Sequence, residues 1–121
     1  MQKVLGFGGF FFRSKDPAAL AQWYLDTLGI NIVPKDYETP AWTQEAGPTV
    51  FAPFEASTEY FGDVSKQFML NFRVADLPAM ITQLEAAGIK VRCDPDNPHP
   101  NGNFAWINDP EGTPIELWEP L

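Results

Sequence analysis

Apolar residues dominate residues 4–13, where phenylalanine recurs among Gly6, Gly8 and Gly9, and the run stops at Ser14-Lys15-Asp16-Pro17. This pattern predicts a strand that ends where a helix begins. Asp16 suits the N-cap and Pro17 the first helical position, where a missing N–H removes nothing the helix uses. Leu20, Trp23, Tyr24, Leu25 and Leu28 then recur at helical spacing, and Gly29 closes the segment. Three short apolar pieces follow at 30–33, 41–44 and 49–54, separated by Pro34-Lys35-Asp36 and by Glu45-Ala46-Gly47-Pro48. They read as a meander of strands. Residues 55–66 lose periodicity and become polar and acidic, as a connecting loop would.

The order then repeats. Residues 68–74 predict a strand, Asp76 an N-cap, and Leu77, Met80, Ile81, Leu84 and Ala87 the apolar stripe of a second helix closed by Gly88. Residues 89–93, 103–107 and 114–118 supply three further strands. The last two flank Asp109-Pro110-Glu111-Gly112, in which Asp favours turn initiation, Pro fixes φ and Gly accepts a positive one, so they form a hairpin. In its second strand Ile115 and Leu117 share one face, while Pro114, Glu116 and Trp118 share the other. Glu116 is thus a carboxylate in mid-strand. The repeat is visible in the residues themselves: Phe12-Arg13-x-x-Asp16 matches Phe72-Arg73-x-x-Asp76 at an offset of 60, and Gly29-Ile30 matches Gly88-Ile89 at 59.

A length of 121 residues fits one domain with one core, and no apolar run approaches the ~20 residues that would cross a bilayer. A formal net charge of −8 opposes phosphate backbones and anionic lipid, which removes nucleic acid and membrane from the expected partners. The lone Cys93 supports neither a disulfide framework nor a thiolate metal cluster. With no signal peptide visible after the apolar run at 4–12, a cytoplasmic location is expected.

The C-terminal hairpin with its mid-strand glutamate, together with the duplication, resembles the vicinal oxygen chelate superfamily. That superfamily contains glyoxalases, extradiol dioxygenases, fosfomycin-resistance enzymes and bleomycin-resistance proteins. The resemblance spans essentially the whole chain. It implies an α+β fold of two tandem β-α-β-β-β modules, residues 1–54 and 67–121 joined by a linker at 55–66, forming a curved mixed sheet around a cavity with the helices outside. It also implies a homodimer, with modules paired within a chain or exchanged between chains. On this parity Leu70, Phe72 and Val74 are core, as are Phe10 and Phe12. Met69, Asn71, Arg73, Glu116 and Trp118 face the cavity, with Gly9, Phe11, Arg13 and Phe51 from the first module. For residues 103–107 either Phe104 with Trp106, or Asn103 with Ala105, is inward.

In the metal enzymes of that superfamily a ligand comes from the first and the last strand of each module. Those positions here hold Gly9, Phe51, Met69 and Glu116. Glycine offers no side chain, phenylalanine no donor atom, and a thioether is a soft ligand unsuited to the usual divalent ions. The single histidine, His99, lies between prolines in a loop. Neither a metal nor another cofactor is therefore expected. Glu116 either accepts hydrogen bonds from a neighbour such as Asn71 or Arg73, or meets a ligand, or acts as a base in a metal-free site. The inward aromatics either fill a core or line a pocket. The function expected is binding of a small aromatic or cationic molecule by Glu116, Trp118, Met69, Asn71, Arg73, Phe11 and Phe51, as in the bleomycin-resistance proteins. The alternative is a metal-dependent glyoxalase-like lyase, isomerase or dioxygenase that uses Glu116 with non-standard ligands.

Overall fold

A computed structural model describes residues 1–121. The fold is α+β: helices α1 (Pro17–Leu28) and α2 (Leu77–Ala86), with strands β1 (Leu70–Arg73), β2 (Arg92–Cys93), β3 (Gly102–Asn108) and β4 (Pro114–Pro120). The strands form one open mixed sheet of order β1-β4-β3-β2, parallel between β1 and β4 and antiparallel elsewhere. The β3–β4 turn is the expected one. Gly112 has φ of 84°, and its N–H donates to the Asp109 carbonyl at 2.9 Å.

Both helices are capped alike. The Asp16 carboxylate accepts from the Ala19 N–H at 3.2 Å, and Asp76 accepts from Ala79 at 3.0 Å, so the duplicated aspartates do the same work. Gly29 ends α1 in the left-handed region at φ 72°, and Gly88 follows α2 at φ 79°. Two carboxylates of the hairpin fasten the helix starts to the sheet. Glu111, at the turn, accepts from the Ser14 hydroxyl and the Lys15 and Asp16 N–H groups, and the Ser14 bond leads in holding its carboxyl below the usual range. Glu119, in β4, accepts from the first N–H of α2 at Leu77 and from Asn103.

The core lies on one face of the sheet, under both helices: Leu20 and Tyr24 from α1, Leu77 and Leu84 from α2, Ala105 and Ile107 from β3, Ile115 and Leu117 from β4. Leu70 and Phe72 pair with Ile115 and Leu117 and extend it. The predicted parity of these strands therefore holds. No helix is long and apolar enough to cross a membrane.

The first half departs from expectation. Residues 4–13, 30–33, 41–44 and 49–54 form no strand, so the chain has four strands where eight were predicted. Residues 1–15 and 31–54 make no main-chain hydrogen bond to any other main-chain group. Apolar composition reports a preference for extended backbone, but a strand exists only with a partner edge. Pro34, Pro40, Pro48 and Pro53 also remove donors from the stretch that would have to pair. Phe11 and Phe51 are consequently 92% and 82% exposed, away from the sheet's second face.

Candidate functional site

The face of the sheet opposite the helices carries the polar chemistry. Register sets it out in rows: Arg92, Trp106, Glu116 and Asn71 lie side by side across all four strands, and Phe104, Trp118 and Arg73 form the next row. Of the two alternatives for β3, Phe104 with Trp106 is the inward pair, while Ala105 and Ile107 go to the core.

Glu116 is the centre of the first row and is 7% exposed. Its Oε1 accepts from Asn71 Nδ2 at 2.7 Å, and its Oε2 from Trp106 Nε1 at 2.9 Å. The Tyr60 hydroxyl, from the stretch between the two halves, donates to the same Oε2. A buried carboxylate is costly unless its lone pairs are met, and here three donors meet them. Tyr60 is a donor throughout the ordinary pH range, because burial first, and the bond to Glu116 second, push its phenol up. Its ring stacks on Phe54, with centroids 5.7 Å apart, and meets Trp106 edge-on at 6.2 Å. Beside this group lies an open cavity of about 330 Å³, walled by Tyr60, Phe61, Met69, Arg92, Trp106 and Pro114.

In the second row Phe104 and Trp118 stack nearly parallel, at 6.2 Å and 3°. Trp118 Nε1 donates to the Asn101 carbonyl at 2.8 Å, which ties the loop over the stack. His99 packs edge-on against Phe104, and its Nε2 is 2.8 Å from an Asp94 carboxylate oxygen. It serves that loop rather than Glu116. Arg73 is not a partner of Glu116 either, since its Nη2 donates to the Glu45 carbonyl at 2.9 Å.

The structure thus joins Glu116 and Asn71 directly, puts Met69 on the wall of the neighbouring cavity, and leaves Trp118 and Arg73 a row away. Phe11 and Phe51 stay apart from them, and Phe51 packs on Phe7 at 5.8 Å. Sequence reasoning missed Tyr60 and Arg92. A signal for Tyr60 existed: Phe54, Tyr60 and Phe61 are three aromatics in and beside a stretch judged by its charge and its lack of period.

The metal that the resemblance implies does not fit these residues. An ion beside Glu116 would face N–H and O–H donors from Asn71, Trp106 and Tyr60 where it needs lone pairs. Nowhere do three His, Cys, Asp or Glu side chains converge. What the arrangement does offer is a fixed carboxylate oxygen, an acceptor for hydrogen-bond donors, whose partners Tyr60 and Trp106 also wall an open aromatic cavity.

Comparison with known proteins bears on this geometry. The family model described as "Glyoxalase-like domain" matches residues 9–118. Among solved structures, TnmS3, an antibiotic binding protein from Streptomyces sp. CB03234, superposes with a TM-score of 0.56 over 88% of each chain at 24% identity. A member of the glyoxalase/bleomycin resistance protein/dioxygenase superfamily from Sphaerobacter thermophilus gives 0.55 over 88% of this chain and 90% of its own, at 20% identity. At these identities the likeness is one of fold. The uncharacterized protein YaeR of Escherichia coli K12 is 36% identical over 50 residues, which span 41% of this chain and 39% of that protein.

Proposed function

This chain belongs to the glyoxalase-like domain family, and on that premise we propose that it binds a small aromatic molecule in a site that works without a metal. The observation that carries the reading is the Glu116 carboxylate, fixed by Asn71, Trp106 and Tyr60, the last two of which also wall a cavity of about 330 Å³. Such a mix of apolar walls and few placed polar groups is typical of small-molecule sites. That TnmS3 binds an antibiotic agrees with this use of the fold. A metal-dependent lyase or dioxygenase is disfavoured by the donors gathered round Glu116.

Trp106 and Trp118 lie in the two rows and report on occupancy. Titration with a panel of planar aromatic and cationic aromatic compounds in excess EDTA is expected to give saturable tryptophan quenching at one molecule per chain. Quenching that vanishes with the chelator, or no saturation with any compound, overturns the proposal.

The functional unit in this reading is a cytoplasmic homodimer. The chain exposes 9346 Å², whereas a compact monomer of 13.5 kDa would expose about 6,500 Å². The excess is of the size that obligate interfaces cover. It resides in the stretches whose backbone lacks partners and whose Phe11, Val33, Val50 and Phe51 face solvent. A second copy offers these stretches the edges they lack. Sedimentation equilibrium at micromolar concentration should return twice the chain mass; a monomer there excludes the arrangement.

A further inference from the structure

Tyr60 reaches Glu116 from a segment whose main-chain hydrogen bonds are all its own. The main-chain bonds of residues 55–66 are local turns, Thr58 to Glu55, Gly62 to Glu59 and Lys66 to Asp63, and the side-chain bonds at Thr58 and Asp63 are local too. The one hydrogen bond from the segment to the sheet is that of Tyr60 to Glu116. Tyr60 is itself 48% exposed, so what holds it is one hydroxyl and two ring contacts. Glu116 is held without it, because Asn71 fixes one oxygen and Trp106 orients the other. Tyr60 also lines the cavity, with Phe61 and Gly62 of the same segment on its wall and Gly62 in the left-handed region at φ 84°.

We infer that Tyr60 is a built-in occupant of the ligand seat, and that the ligand is a neutral hydroxyaromatic molecule whose O–H replaces that of Tyr60 on Glu116 as the half-exposed Tyr60 side chain turns out toward solvent. The inference rests on the small-molecule reading above and narrows it. The seat already displays its preference: a phenolic O–H on Glu116 Oε2, a ring face on Phe54 and a ring edge toward Trp106. A donor is required because Oε2 is an acceptor, and an aryl ether of equal size cannot supply one. A site closed most of the time shows an affinity reduced by the open fraction, so removing the occupant tightens binding without adding a contact.

The probes are 2-naphthol and its non-donating counterpart 2-methoxynaphthalene, titrated into the wild type, Tyr60→Ala and Tyr60→Phe, with circular dichroism to verify folding. Tyr60→Ala is expected to bind 2-naphthol roughly tenfold more tightly than the wild type, and 2-methoxynaphthalene no better than the wild type binds it. Tyr60→Phe, which keeps the ring and loses only the hydroxyl, should fall between, and it carries the test alone if Tyr60→Ala does not fold. Unchanged or weaker 2-naphthol binding in both variants, while the wild type still shows one-to-one quenching with other aromatic compounds, overturns the inference and leaves the small-molecule reading standing. Absence of saturable binding by every probe to every protein overturns both.

Discussion

Replacing Asp109 by alanine should destabilise the protein by about 3–5 kcal/mol, because one buried carboxylate serves three donors at once. Asp109 is 4% exposed and accepts from the Tyr24 hydroxyl at 2.7 Å, the Glu111 N–H at 2.8 Å and the Thr113 N–H at 2.9 Å. Alanine leaves a phenol of α1 without its acceptor inside the core and the β3–β4 turn without its organiser. Urea unfolding gives the measure, and a loss under about 1 kcal/mol would mean that water reaches all three groups. The same bond sets an alkaline limit. Burial, with the Asp109 hydrogen bond second, raises the Tyr24 phenol well above its ordinary 10.0. The stabilisation is therefore full below pH 10 and declines above it by about 1.4 kcal/mol per pH unit, as the unfolded chain ionises and the folded one does not. Tyr24→Phe should remove that part of the slope.

Leu117→Ala should cost about 2–5 kcal/mol. Leu117 has no exposed surface, sits in an inner strand between Phe72 and Ala105, and faces the helices. Its neighbours in the sheet are fixed by main-chain bonds and cannot close over the gap, which places the expected loss in the upper part of that range. Leu117→Ile, close in volume, should cost about 1 kcal/mol. A thermal or urea midpoint that scarcely moves in the alanine variant would mean that α1 and α2 settle onto the sheet, and that this core is softer than its register implies.

The second half was legible in the sequence because its signals agree with one another. Asp76 and Gly88 mark a helix, the turn at Asp109–Gly112 fixes the hairpin, and alternation along 114–118 assigns Glu116 to one face and Leu117 to the other. Residues 103–107 stayed open since both parities contain apolar side chains, and only the pairing of Trp106 with Glu116 decides between them. The first half misled for a different reason. Its alternating phenylalanines carry strand preference, but preference is a property of the residue and pairing a property of two edges, one of which the chain does not supply. Tyr60 escaped because charge and lack of period describe a loop's backbone and say little about where a single long side chain reaches.

The parallel pairing of β1 with β4 joins the two ends of residues 70–120, so the sheet is complete within the C-terminal half of the chain. Synthesis runs the other way. The aromatic stretches with no main-chain partners leave the ribosome first, and at ordinary elongation rates they wait on the order of several seconds before β4 is made. During that interval α1 has no surface to rest on, since Tyr24 and Leu20 dock against residues still to come. Until β4 is made, neither the sheet nor the seat of α1 exists, and the fold is assembled from its C-terminal end.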